Sequence, residues 1–144
     1  MPATLPIQLV PRLDPLPERH LVLVVDDEGA LLALDLRILA QENFQVVTAS
    51  SGENAIALVE RMGRLPDLLI TDFMMPDMDG RELVEALRAR KPELKVLYQT
   101  GYSDKLFGPR GLLEPDTAFL EKPFTPRGLR EAARLALYGA IDPE

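Results

Sequence analysis

The sequence predicts an open, doubly wound α/β sandwich: a parallel sheet with helices on both faces. Five short apolar runs begin roughly every 23 to 27 residues, and segments of helical period lie between them. The runs are continuous rather than alternating, as expected of strands buried on both faces under covering helices.

The elements follow in order. Five of the thirteen prolines fall in the first seventeen residues, where each removes a backbone donor, so residues 1–20 read as a Pro-rich tail or linker. The first strand is "LVLVV" (21–25), followed by a helix with Leu32, Leu36 and Leu39 on one face. "FQVVTA" (44–49) is the second strand, and Ile56 and Val59 mark the helix after it. "DLLIT" (67–71) precedes a helix carrying Leu83, Val84 and Leu87, and "LKVLYQ" (94–99) is the fourth strand. In "GYSDKLFGPRGLLEPD" (101–116), Gly108, Pro109 and Gly111 interrupt any helix, so the fourth helix is expected to be short, irregular or mobile. "TAFLE" (117–121) leads to a last helix with Leu129, Ala132, Ala133 and Ala136, ending at about Gly139; residues 140–144 form a C-terminal tail. The folded domain is therefore expected to span 21–139.

Bulk composition removes several function classes. With 47% hydrophobic and 27% charged residues over 144, the chain carries one ordinary globular domain. A net charge of -7, with no Lys/Arg run longer than two, argues against direct nucleic-acid binding. Without cysteine there is no disulfide, thiolate catalysis or Cys-ligated metal, and the sole histidine, His20, falls in the tail, so a Ser-His-Asp triad or multi-His metal site is rejected. No apolar stretch reaches the eighteen or so residues that span a bilayer, and the N-terminus lacks a signal peptide's basic start and apolar core. The expectation is a cytoplasmic protein with no membrane contact.

In an open parallel sheet ligands bind beyond the carboxyl ends of the strands. Here the first strand ends in Asp26-Asp27, the third in Asp72, the fourth in Thr100 and the fifth in Lys122-Pro123; the second, ending in Thr48-Ala49-Ser50, offers nothing obvious. Two like charges about 4 Å apart repel by about 4 kcal/mol at an effective dielectric near 20, so three carboxylates on one rim need cations. Lys122 is one, and a bound metal is the natural second. All-oxygen ligation with open positions suits Mg²⁺, and Asp is a competent nucleophile toward phosphoryl groups.

The stretches "VLVVDDE", "LLITDFMMPDMDG", "VLYQTGYSD" and "FLEKPF", in this order and at these spacings, resemble the receiver domain of two-component response regulators, and most closely the receivers of hybrid histidine kinases. The resemblance covers residues 21 to about 139. It implies a flavodoxin-like (βα)5 fold with strand order 2-1-3-4-5, a bacterial signalling phosphoprotein, and a domain that catalyses only its own phosphorylation and dephosphorylation. Asp72 is then the phospho-acceptor, Asp27 a direct Mg²⁺ ligand, Asp26 a ligand through water, and the Met74 backbone carbonyl the third protein ligand; Mn²⁺ is an alternative ion. Thr100 bonds the phosphoryl group and moves on activation, Lys122 pairs with another phosphoryl oxygen, and Phe119 matches the rotameric switch. The Lys122-Pro123 bond is cis in this family. The donor is a sensor histidine kinase or histidine phosphotransfer protein, since His20 resembles no kinase motif. The output is contact with a downstream protein through the face of the fourth helix, fifth strand and fifth helix, with a homodimer compatible. No output domain is expected after the last helix: either the protein acts through contact alone or it is one piece of a longer kinase.

The positions two after Asp72 and two after Thr100 tune acyl-phosphate hydrolysis in this family. Here Met74 and Tyr102 are bulky and offer no carboxylate or amide to orient a water, which predicts slow autodephosphorylation.

Plainer readings compete. Asp26-Asp27 could be a helix N-cap pair. Asp77 and Asp79 echo a calcium loop, but the register puts Met75 first and Ala86 twelfth, where a bidentate Glu is required, so a turn and cap are expected there instead. By default Phe119 and Tyr102 are core or rim aromatics. A Mg²⁺-dependent aspartyl phosphatase of the haloacid dehalogenase type needs a second Asp two residues after the nucleophile, where Met74 stands. A degenerate receiver that only binds partners usually lacks an acid, the Thr or the Lys, and none is lacking here.

Overall fold

The first strand, β1 (His20–Val25), is buried from Leu21 onward and is an interior strand of a five-stranded sheet. This computed structural model describes residues 19–101 and 115–139. After β1 come α1 (Gly29–Leu39), β2 (Phe44–Ala49), α2 (Gly52–Met62), β3 (Leu68–Asp72), α3 (Gly80–Arg88), β4 (Lys95–Thr100), β5 (Thr117–Glu121) and α4 (Pro126–Tyr138). All strand pairs are parallel, in the order β2-β1-β3-β4-β5. The helix expected between the fourth and fifth strands, and Tyr102 with it, lie outside the described residues, so α4 is the last helix.

Alternate strand residues feed two cores, one on each face of the sheet. Leu23, Val25, Leu69, Val96 and Tyr98 pack under α2 and α3, while Val22, Val24, Leu68, Ile70 and Leu97 pack under α1 and α4. The inner strands are nearly solvent-free, whereas the edge strands β2 and β5 stay half-exposed.

Two sequence expectations shift by a residue or more. His20 pairs with Phe44 inside β1 rather than lying in the tail; its ring sits 3.7 Å from Asp67 and edge-on to Tyr138. On α1 the inward residues are Asp35, Ile38 and Leu39, while Leu36, expected to face the core, is 37% exposed. Helix α1 is rich in leucine on every side, so apolar periodicity alone does not phase it. The phase of α3 agrees with the pattern, with Leu83, Val84 and Leu87 all buried.

The "MPDMDG" loop resolves the two acids after Asp72. Asp79 is the N-cap of α3, accepting from the Glu82 N–H while the Glu82 side chain accepts from the Asp79 N–H, a reciprocal box of the kind whose cap contributes about 1 kcal/mol. Asp77 takes the left-handed turn conformation at φ 68°.

Candidate functional site at the carboxyl rim of the sheet

The parallel register aligns the strand ends. Val25 is level with Thr71, so the next residues, Asp26 and Asp72, meet across β1 and β3; Asp72 pairs with Gln99, and Thr100 with Glu121. The sheet order reverses between β1 and β3, which opens a crevice at that point. Asp26, Asp27, Asp72, Thr100 and Lys122 all stand on this rim, at or within two residues of their strand ends. Met74 follows Asp72 in the loop and is 59% exposed.

Lys122 bridges two of the acids. Its Nζ lies 3.4 Å from Asp26 Oδ2 and 3.4 Å from Asp72 Oδ1. The backbone N–H of Lys122 donates to the Thr100 carbonyl at 2.8 Å, which fixes where the lysine leaves the sheet, and the Lys122-Pro123 bond is cis. Asp26 is fully buried, and its Oδ1 accepts from the Glu28 N–H at the start of α1, so it serves the helix entry and the pocket together. Asp27 is exposed beside it. Phe119 stacks on Tyr98 with ring centroids 5.5 Å apart.

Charge in this pocket is unbalanced. Burial raises the Asp72 carboxyl above its ordinary value; Lys122 pulls it down, but Asp26 and Asp27 push it up again, and the net direction is upward. Burial opposes the Lys122 ammonium, yet Asp26 and Asp72 outweigh it and hold the lysine above its usual range. Lys122 thus faces a cluster of three acids and bridges two of them. Asp26, Asp27 and Asp72 each offer a carboxylate oxygen, all within 4.8 Å of one another. Such a hard, all-oxygen set fits a divalent cation of the Mg²⁺ kind better than a soft transition metal.

Gly80 locks the acceptor's backbone. Its N–H donates to the Phe73 carbonyl at 2.9 Å, and a Cβ there would collide with the Asp72 carbonyl oxygen. Thr71 Oγ1 donates to that same oxygen, and Phe73 N–H donates to the Gln99 carbonyl.

Two polar residues beneath the rim escaped the reading of strand ends. Asp35 on α1 is 0% exposed and Gln99 on β4 is 1% exposed. Among the described residues, neither Asp35 carboxylate oxygen nor Gln99 Nε2 has a hydrogen-bond partner of good geometry. Burial raises the Asp35 carboxyl to about 6; the neighbouring Gln99 amide and Lys122 lower it, and Asp26 raises it. No motif marks them: Asp35 stands among leucines, and Gln99 is one residue short of the strand end.

Comparison with known proteins agrees with this architecture. The family model described as "Response regulator receiver domain" matches residues 22–134. The sensor kinase CckA of Brucella abortus is 35% identical over 86 residues, a match covering 60% of this chain and 9% of that protein, so the chain spans only a small part of that relative. The crystal structure of the receiver domain from hybrid histidine kinase CckA is 30% identical with a TM-score of 0.68, covering 81% of this chain and 98% of that one. Chemotaxis protein CheY4 of Vibrio cholerae superimposes with a TM-score of 0.74 at 28% identity, over 83% of this chain and all of that one. With the sheet order, the aligned strand ends and a family match over most of its length, the chain belongs to the receiver domains of two-component response regulators.

Proposed function

We propose that this domain accepts a phosphoryl group on Asp72 from a phosphohistidine, in a reaction that depends on a divalent cation. The observation that carries this reading is the bridging of Asp26 and Asp72 by Lys122 within a three-carboxylate cluster. An Asp72 oxygen attacks phosphorus in line, the bond from phosphorus to the donor imidazole breaks, and the imidazole leaves with its electron pair. Lys122 neutralises a phosphoryl oxygen, and Thr100 at the end of β4 bonds another. Asp26, Asp27, Asp72 and the Met74 carbonyl would hold Mg²⁺ or Mn²⁺, which when bound supplies further neutralisation of the transferring oxygens.

The donor is a sensor histidine kinase or histidine phosphotransfer protein. Phosphorylation shifts the population toward a state read by a protein partner on the face that carries β5 and α4, with Phe119, beside Tyr98, as the reporting side chain. The domain turns over no other substrate and works in the cytoplasm; no described helix is long and apolar enough to cross a membrane.

The test is incubation with Mg²⁺ and acetyl phosphate or phosphoramidate, followed by intact-mass measurement of wild type and Asp72→Asn. The expected result is one phosphoryl adduct on wild type and none on the variant. An adduct on both would displace Asp72 as acceptor; an adduct on neither would make this a binding module without phosphoryl chemistry.

A further inference from the structure

Asp35 and Gln99 come together from different elements. Within a strand, alternate residues share a face, so Gln99 faces the same layer as Leu97, the layer under α1 and α4. Asp35 shares its helix face with Ile38 and Leu39, which belong to that layer, and it sits about 9 Å along α1 from the helix start at the rim. The rest of the layer is apolar: Val24 from β1, Ile70 from β3, Leu97 from β4, and Leu129 and Ala133 from α4. Among the described residues, Asp26 and Lys122, both at the rim, act on Asp35 by charge.

An ionised carboxylate has no hydrogen to give, whereas a neutral one has one donor and one good acceptor, the complement of a primary amide. If Asp35 carries a proton, its O–H donates to Gln99 Oε1 and its carbonyl oxygen accepts from Gln99 Nε2. That pairing would satisfy the three buried polar atoms that otherwise lack partners.

We infer that Asp35 is a positioning residue for phosphorylation of Asp72: as a neutral acid it closes a two-bond pair with Gln99 that ties α1 to the end of β4 and so holds Thr100 over the acceptor. Loss of the proton leaves Gln99 with a single bond and frees that strand end. Gln99 is well placed to pass this on, because its backbone carbonyl holds Phe73, the residue after the acceptor, and its neighbour Thr100 accepts from the backbone of Lys122.

The inference rests on the proposed phosphoryl acceptance, so its test has two readouts. The first is the rate of phosphorylation by phosphoramidate in Mg²⁺ across about pH 5 to 8, in wild type, Asp35→Asn and Gln99→Leu. Asn keeps an amide pairing at every pH, so the rate ratio of wild type to Asp35→Asn should be near one at low pH. With the carboxyl at about 6, about one molecule in ten keeps its proton at pH 7, so the ratio should fall by up to about tenfold. The Gln99→Leu variant should lose that pH-dependent difference. The second readout needs no phosphorylation: methyl and carboxyl NMR of the whole chain, in which the Thr100 methyl should shift with the midpoint of the Asp35 carboxyl and stand still in Asp35→Asn. A flat rate ratio with a stationary Thr100 methyl overturns the inference. A wild type that takes no phosphoryl group at any pH refutes the proposed function instead, and the methyl titration then decides the positioning pair alone.

Discussion

Replacing Asp35 by Asn should stabilise the fold at neutral pH and do so progressively less in acid. The carboxyl stands at 3.8 unfolded and about 6 folded. Between those values the native state binds more protons than the unfolded chain, so the neutral acid's contribution is fully present below 3.8 and is lost as pH rises through about 6. At about 1.36 kcal/mol per pH unit, ionising this buried group costs the native state about 3 kcal/mol by pH 7.5 and about 1 kcal/mol by pH 4.5. Asn has the same shape, keeps a donor and an acceptor toward Gln99, and does not titrate. The stability gap between Asp35→Asn and wild type should therefore widen by about 2 kcal/mol between pH 4.5 and pH 7.5. Urea unfolding of both proteins at the two pH values measures it, with all shared titrations cancelling in the difference. A gap independent of pH, or an Asn variant that loses stability at pH 7.5, would refute the assignment of Asp35 as a buried acid that resists ionisation.

Other perturbations separate neighbouring features of the site. Gly80→Ala should cost about 1 to 3 kcal/mol in urea unfolding and sharply slow phosphorylation, because its Cβ meets the Asp72 backbone. Gly52→Ala should cost less, since the obstacle is the flexible Met78 side chain, whose thioether lies 2.6 Å from the added Cβ. Met74→Asn should shorten the lifetime of the phosphorylated protein several-fold, read by intact mass against time, because an amide can orient the attacking water. Asp67→Asn should cost about 1 kcal/mol at neutral pH, a figure held small by solvent screening. Burial opposes the Asp67 carboxylate, but the Leu21 N–H, Lys91, His20 and Arg64 hold it below 3.8; its contribution should be present above that value and vanish as pH falls through the lowered midpoint, seen in acid titration of both proteins.

The readable part of this molecule is the part governed by strand register. Continuous apolar runs identified the strands, and because parallel strands align their carboxyl ends, the residues at those ends were legible as one rim: Asp26, Asp27, Asp72, Thr100 and Lys122. Helix phase was legible only where polar and apolar residues divide cleanly. In α3 they do, and Leu83, Val84 and Leu87 lie where the period puts them. In α1 they do not: among five leucines the period puts Leu32, Leu36 and Leu39 on the inward face, whereas Asp35 is buried and Leu36 is 37% exposed. Nothing local marks such a residue, because its partner, Gln99, lies 64 positions away and is itself hidden behind the more conspicuous Thr100. The roles of Asp77 and Asp79 likewise turned on backbone geometry: only one of them lies three residues before a glutamate able to reach back.

Asp35 reports on the pocket above it, and the two rim charges that act on it pull in opposite directions. Lys122 lowers its carboxyl and Asp26 raises it. Both stand at the rim while Asp35 lies in an apolar layer below, where charges act over longer distances than they do in water. Lys122→Met should therefore move the Asp35 midpoint upward and Asp26→Asn should move it downward, each followed by carboxyl NMR without any phosphodonor. If Asp35 instead owes its position to burial alone, neither substitution will move it, and the coupling between the proton on α1 and the chemistry on the rim fails with them. Opposite shifts would mean that whatever alters charge among Asp26, Asp72 and Lys122 also alters the proton on Asp35, and by reciprocity that the proton alters the pocket.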